Sequence, residues 1–274
     1  MTTKVRNHEP PSPTDQVRIF ARRLRERYRF DASKIARAEN VYVAWIDLMG
    51  AGHLMSVSLE KPANALARLH MAVDHAIAEF PGVETLPIND GVFILSPEKK
   101  VIERVVRSVM IDLAAIFIST PDPQNKFLLR GGIAYGPVYH GEAIASGLSV
   151  AKRSRHSEAL SRVAFGPAII QAYRGEGAAP PYGIAIHESA RSFAAAGTTP
   201  FLMTHWLWWL THAELEHPVG APPLAVLKDV LCADLLKHFA WVRSTLLLHG
   251  LAPEKIMQWE QMSQQYFRSK QPTP

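Results

Sequence analysis

A single cysteine, Cys232, stands in a chain of 274 residues. That excludes an internal disulfide framework and suits a reducing compartment. No apolar run approaches the roughly 20 residues that a membrane-spanning helix needs. The opening stretch, MTTKVRNHEPPSPTD, has no apolar core of the kind a secretory signal carries. Together these absences point to the cytoplasm. Gly-rich Rossmann and P-loop fingerprints are missing, as is any Ser/His/Asp nucleophile pattern. His53, His70, His75 and His140 fall at no metal-ligand spacing. With 47% hydrophobic and 20% charged residues, the chain suits one large globular domain, or one domain with an appendage.

Its charge is unevenly placed. Residues 1–39 hold ten Lys/Arg and five Asp/Glu, whereas the remainder carries twenty of each. The basic surplus belongs to VRIFARRLRERYRF, where Val17, Phe20, Leu24 and Tyr28 recur at helical spacing. Such a basic amphipathic helix can touch nucleic acid or anionic lipid. It can equally be a solvated face, or a clamp on acidic surface of its own or a partner subunit. Without clustered aromatics or a nucleic-acid motif the second pair of readings is preferred, and nucleic acid is not an expected partner.

VYVAWI (41–46) is β-branched and aromatic and reads as a buried strand. GVETLPINDGVFILSP carries Asn89-Asp90-Gly91 between apolar stretches, a hairpin signature. EKKVIERVVRSVMIDLAAIFIST has the apolar period of a long helix. FLLRGGIAYGPVYHGEAI reads as a second hairpin turning at Gly136-Pro137, VAFGPAIIQAYRGE as a helix and YGIAIHES as a short strand. The expected fold class is α+β, a ferredoxin-like core of antiparallel-rich sheet with helices on one face. FLMTHWLWWL and the segments after it read as helical. The expected organisation is a tail and basic helix over 1–39, a core domain over 40–190 and a helical extension over 191–274.

Within that order, Asp47 ends the first strand and Asp90 sits at the tip of the next hairpin, 43 residues later. The first and third strands of a ferredoxin-like sheet are neighbours, so both carboxylates can meet at one rim. Like charges brought together are costly unless a cation lies between them. Hard oxygen donors suit magnesium or manganese, which also bind substrate phosphates. The turn Leu48-Met49-Gly50-Ala51-Gly52 offers backbone N–H groups for an anion. Taken singly, Asp90 is also a turn former and Asp47 a candidate helix cap.

Four segments resemble the class III nucleotide cyclase catalytic domain: WIDLMGAGHL, LPINDGVFIL, LRGGIAYGPVYHG and VAFGPAIIQAYRGE, in family order over roughly residues 40–187. The resemblance implies a homodimer with interfacial active sites and a nucleoside triphosphate substrate. It also implies two divalent cations, Mn²⁺ or Mg²⁺, held by Asp47, Asp90 and the main chain at Leu48, and attack of the 3′-hydroxyl on the α-phosphorus. The family's transition-state Asn falls on Ile170 and its Arg on Arg174, a candidate for stabilising charge on the transferring phosphate. Its adenine-reading Lys falls near Leu86 and that residue's Asp partner near Val163; Ala51 stands where many members have Phe. Losing the groups that hydrogen-bond a base removes selective recognition of it. In these respects the chain is similar to the stand-alone bacterial pyrimidine cyclases of the Pycsar antiphage system. That similarity implies cyclisation of UTP, or of CTP, and signalling to a separate cyclic-nucleotide-activated effector. The alternatives are an adenylate cyclase with relocated base contacts, and a catalytically inactive module that binds nucleotide or dimerises. Lys152, Arg153, Arg155 and His156 form a basic loop that can close over a triphosphate or stay solvated. Arg130 reads as a structural ion-pair partner.

Overall fold

The computed structural model describes residues 12–52, 55, 58–149, 158–160, 162–193, 205–207, 220, 222–245 and 252–268. His53, the basic loop at 152–156, Trp208 and Trp209 lie outside them. The chain forms two compact units, one of residues 1–37 with 140–163 and one of 38–139 with 164–274.

The larger unit is built on β1 (Glu39–Met49), β2 (Glu84–Ile88), β3 (Gly91–Ser96), β4 (Leu128–His140), β5 (Ala164–Phe165), β6 (Ile184–Ile186) and β7 (His205–Leu207). Strand order is β2-β3-β1-β4-β6-β7, with β5 beside β4. Pairings β2·β3, β3·β1 and β1·β4 are all antiparallel. A helix joins β1 to β2 and another joins β3 to β4, which is the ferredoxin-like βαββαβ arrangement. The α+β fold class expected from the sequence is therefore the one observed.

Three local readings are corrected. No turn forms at Gly136-Pro137; β4 runs unbroken because eleven successive residues pair with β1, from Met49↔Leu128 to Glu39↔Val138. That long template outweighs a local turn signal. FLMTHWLWWL is not wholly helical, since His205–Leu207 adds a short strand antiparallel to β6. Nor do the helices keep to one face. Ala44, Ile46 and Leu48 enter the main core, while Val41, Val43 and Trp45 join a second cluster with Ala168 and Ala172. An apolar run without alternation needs cover on both sides.

The main core takes Leu69 and Val73 from α1 (Glu60–Ile77) of this unit, and Val106, Met110 and Leu113 from α2 (Lys99–Ser119). Leu231, Leu235 and Phe239 of α3 (Leu224–Ser244) and Ile256 and Trp259 of α4 (Pro253–Arg268) close it. On the second face lies α5 (Pro167–Gly175), numbered after the four helices of the main core. Lys126 ties α3 to the core, 3.3 Å from Asp234 and above the Phe117 ring.

Tyr182 pins the segment that follows α5. It is fully buried, at φ 57°, and its amide donates to the Leu129 carbonyl at 2.7 Å. Its hydroxyl donates to the carbonyl of Phe127 at 3.0 Å. A non-glycine residue holds positive φ only when its surroundings over-determine it. Tyr182→Phe leaves that carbonyl without its donor, and chemical denaturation should show a loss of about 1–2 kcal/mol.

The smaller unit contains α6 (Pro13–Arg27), opened by Ser12, whose Oγ accepts from the Asp15 amide at 3.2 Å. After it, Asp31 donates its amide to the Gly147 carbonyl at 3.0 Å, and Ser146 Oγ donates to the Lys34 carbonyl at 2.7 Å.

Candidate functional site

Side chains alternate along a strand, so Val41, Val43, Trp45 and Asp47 share the α5 face of β1. Asp47 is the point at which this apolar row becomes charged. It lies within β1, two residues short of its end, and so is not a helix cap. Gly91 opposes it on β3 and Arg130 opposes it on β4. Asp90 occupies the β2–β3 turn beside Gly91, with Asn89 at φ 52° supplying the left-handed residue of the turn. The Leu48 amide donates to the Asp90 carbonyl at 3.2 Å. The two acids, far apart in sequence, are thus brought to one rim, as the sequence pattern anticipated.

The structure adds a third carboxylate, Glu176, that the sequence reading did not single out. It follows α5 directly. Trp45 donates its indole Nε1–H to Glu176 Oε2 at 3.1 Å, and an Arg130 guanidinium nitrogen donates to Oε1 at 2.9 Å. Arg130 is therefore the ion-pair partner expected of it. Both members of the pair are largely buried, at 18% and 13% side-chain exposure. Its signal in the sequence was indirect: a half-buried Arg130 needs an acid, and Arg130-Gly131-Gly132 lets a backbone come close. A Cβ on Gly132 would overlap the Ala172 carbonyl and stand 2.9 Å from the Glu176 nitrogen. Only glycine lets the end of α5 settle on β4 and deliver Glu176.

The electrostatic result is concentrated on Asp47. Burial is the largest influence, followed by the charges of Glu176 and Asp90 and a hydrogen bond with Glu176; Arg130 opposes them in part. The carboxyl is pushed from its ordinary 3.8 up to about 8. At neutral pH, without a cation, the Asp47 carboxyl keeps its proton and hydrogen-bonds with Glu176.

Oxygen donors converging where anionic charge is this poorly compensated fit a hard divalent cation. Among the described residues no three His, Cys, Asp or Glu side chains are grouped to hold an ion by themselves. Magnesium commonly takes one or two carboxylates and completes its shell with water and substrate phosphate, a mode that asks for no third acid. The turn expected over 48–52 begins later: Leu48 and Met49 belong to β1, Gly50 takes φ 77°, and Ala51 and Gly52 are helical.

Arg174 is not brought to Asp47 within the chain. It lies exposed on α5, one turn after Ile170, and its neighbour Tyr173 touches Trp45 with ring centroids 5.6 Å apart. Ile170 and Tyr173 are 52% and 58% exposed, which leaves an apolar patch around Arg174. Leu86 is half-buried against the second apolar cluster, opposite Phe93 in the β2–β3 register, and Val163 is exposed.

No family model matches the chain. No curated protein matches it either. Among solved structures, it resembles the monomeric guanylyl cyclase domain of the RhoGC fusion protein from the aquatic fungus Blastocladiella emersonii. The identity is 18% and the TM-score 0.41, over 57% of this chain and 85% of that one. The guanylate cyclase domain of RhGC from Catenaria anguillulae, solved with GTP, gives 17% and 0.41 over 57% and 82%. An adenylate/guanylate cyclase/hydrolase from Silicibacter pomeroyi gives 18% and 0.42 over 57% and 80%. Among the described residues no helix is long and apolar enough to cross a membrane.

Proposed function

We propose that the chain is a metal-dependent nucleotide cyclase acting on a pyrimidine triphosphate, UTP or CTP, to give the 3′,5′-cyclic monophosphate and pyrophosphate. The observation that carries the reading is the meeting of Asp47 and Asp90 at one rim of the central strands, joined through the Leu48 amide and the Asp90 carbonyl. Asp47, Asp90 and the main chain at Leu48 would hold two divalent cations, Mn²⁺ or Mg²⁺. Bound there, such ions lower the pKa of a ribose hydroxyl and neutralise a triphosphate and its leaving pyrophosphate. Gly50 to Gly52 keep main-chain N–H groups beside the rim for phosphate oxygens.

Arg174 serves the site of a facing subunit. Its exposure among Ile170 and Tyr173 supports a homodimer in which each α5 completes the partner's rim. Pyrimidine over purine rests on the resemblance, in which the apolar Leu86 and Val163 fall near the positions of purine-reading side chains. Release of a cyclic pyrimidine nucleotide to a separate effector in antiphage defence belongs to the same resemblance.

The test is incubation of the protein with each of the four NTPs and Mn²⁺, with chromatographic identification of the product. Cyclic UMP or cyclic CMP is the expected product. Cyclic AMP alone would overturn the substrate assignment, and no product from any NTP would favour the inactive binding module.

A further inference from the structure

The basic helix α6 is an uncovered amphipathic surface. None of its fifteen residues is buried. Val17, Phe20 and Tyr28 are 66%, 62% and 68% exposed, and Leu24 is half-exposed. At about 100° per residue, these four side chains and Ala21 fall in one stripe. Arg25 lies along one border of that stripe and Arg27 along the other, with Arg18, Arg22 and Arg23 further round. Asp15 and Glu26 are the only acids in residues 12–30, against six arginines. Local caps hold the helix: Ser12 accepts from the Asp15 amide, and Pro13 opens the first turn. A short helix in water draws most of its stability from a covered apolar face, and among the described residues none of α6 is buried.

We infer that α6 docks flat on an anionic phospholipid surface, its Val17–Phe20–Leu24–Tyr28 stripe at the headgroup–acyl boundary and its arginines on lipid phosphates. Apolar stripe, bordering arginines and a low overall hydropathy are the composition that such interfacial helices require. Long arginine side chains beside the stripe can keep their methylenes apolar while the guanidinium reaches outward. Charge decides against two other occupants. A second copy of α6 would bring one arginine-rich helix against another. Residues 40–274, with twenty acids and twenty bases, have no acidic surplus to receive it. A nucleic acid would neutralise the arginines but leave the apolar stripe facing phosphate or water; a bilayer takes both.

The experiment is flotation of the full-length protein with vesicles of phosphatidylcholine, alone or with about a third phosphatidylserine, at about 0.05 and 0.5 M salt. The expected result is recovery at least ~10-fold higher on the anionic vesicles at low salt, falling steeply at high salt. Phe20→Glu and Leu24→Glu should each lower recovery ~10-fold, with the denaturation midpoint and the vesicle-free activity unchanged because no α6 residue enters the core clusters of the described residues. Arg22→Glu combined with Arg25→Glu should remove the preference for anionic lipid. Equal recovery on neutral vesicles, or indifference to salt, overturns the proposal. So does a sedimentation shift of the wild type that Phe20→Glu abolishes without any vesicle present, which would make the occupant a second copy. RNA binding that survives Phe20→Glu, without vesicle recovery, overturns it in favour of nucleic acid.

Discussion

Asp47→Ala should abolish cyclisation of every NTP, lowering turnover by at least about 10³-fold, while the metal-free protein stays as stable as the wild type or becomes more so. The size of the activity loss follows from the role proposed for the carboxylate, because a metal-held phosphoryl transfer rests almost wholly on positioning and charge neutralisation. The stability effect follows from the pKa. In the unfolded chain Asp47 ionises near 3.8, and in the folded chain near 8. Between those values the folded protein holds a proton that the unfolded one has released, so raising the pH favours unfolding. The contribution is favourable at low pH, is lost progressively from about pH 4 to pH 8, and levels off above pH 8. Denaturation midpoints of metal-free wild type and Asp47→Asn across this window test the sign: the variant should gain on the wild type as pH rises. A difference that stays flat would mean that Asp47 is not strained by Glu176 and Asp90. The cost of crowding three carboxylates is one that a folding protein would shed unless the site required it.

Gly132→Ala should be strongly damaging for a single added methyl, costing about 3 kcal/mol. It should also remove most activity, although no reacting group is altered. The new Cβ meets backbone on α5, the Ala172 carbonyl and the Glu176 amide, and backbone cannot rotate aside as a side chain can. α5 must lift from β4. Glu176 then leaves the Trp45 indole and Arg130, and Arg130 is left half-buried without its acid. Gly177→Ala is the control, since nothing lies within 4 Å of a Cβ there; it should change the midpoint by less than about 0.5 kcal/mol. Equal effects of the two substitutions in a denaturation series would remove Gly132 from the account.

Much of this was legible beforehand because the strongest signals were local. Asn89-Asp90-Gly91 between apolar runs gave the β2–β3 turn, and the periodicity of 99–119 gave α2. The Asp47–Asp90 rim could be inferred because ferredoxin-like topology makes the first and third strands neighbours. What escaped depended on distant partners. Gly136-Pro137 has the chemistry of a turn, yet the length of β1 opposite it keeps β4 straight. Glu176 has no local signature, since its significance comes from Trp45 and Arg130 across the sheet. Helices expected on one face proved too few for VYVAWI, whose apolar residues enter both faces, and α5 emerged as the second cover only with Ala168 and Ala172 against β1.

The Trp45–Glu176 hydrogen bond joins residues 131 apart in the chain, and this has a kinetic consequence. Long-range contacts close late, after the entropy of the intervening loop has been lost. The hairpin, the two core helices and the Asp47–Asp90 rim draw on nearer neighbours, whereas Glu176 joins them only when α5 docks. Contacts formed after the transition state chiefly set how fast a protein comes apart. Loss of the Trp45–Glu176 contact is thus expected to speed unfolding more than it slows folding, while the Asp47–Asp90 rim, held by strands nearer in sequence, forms without it.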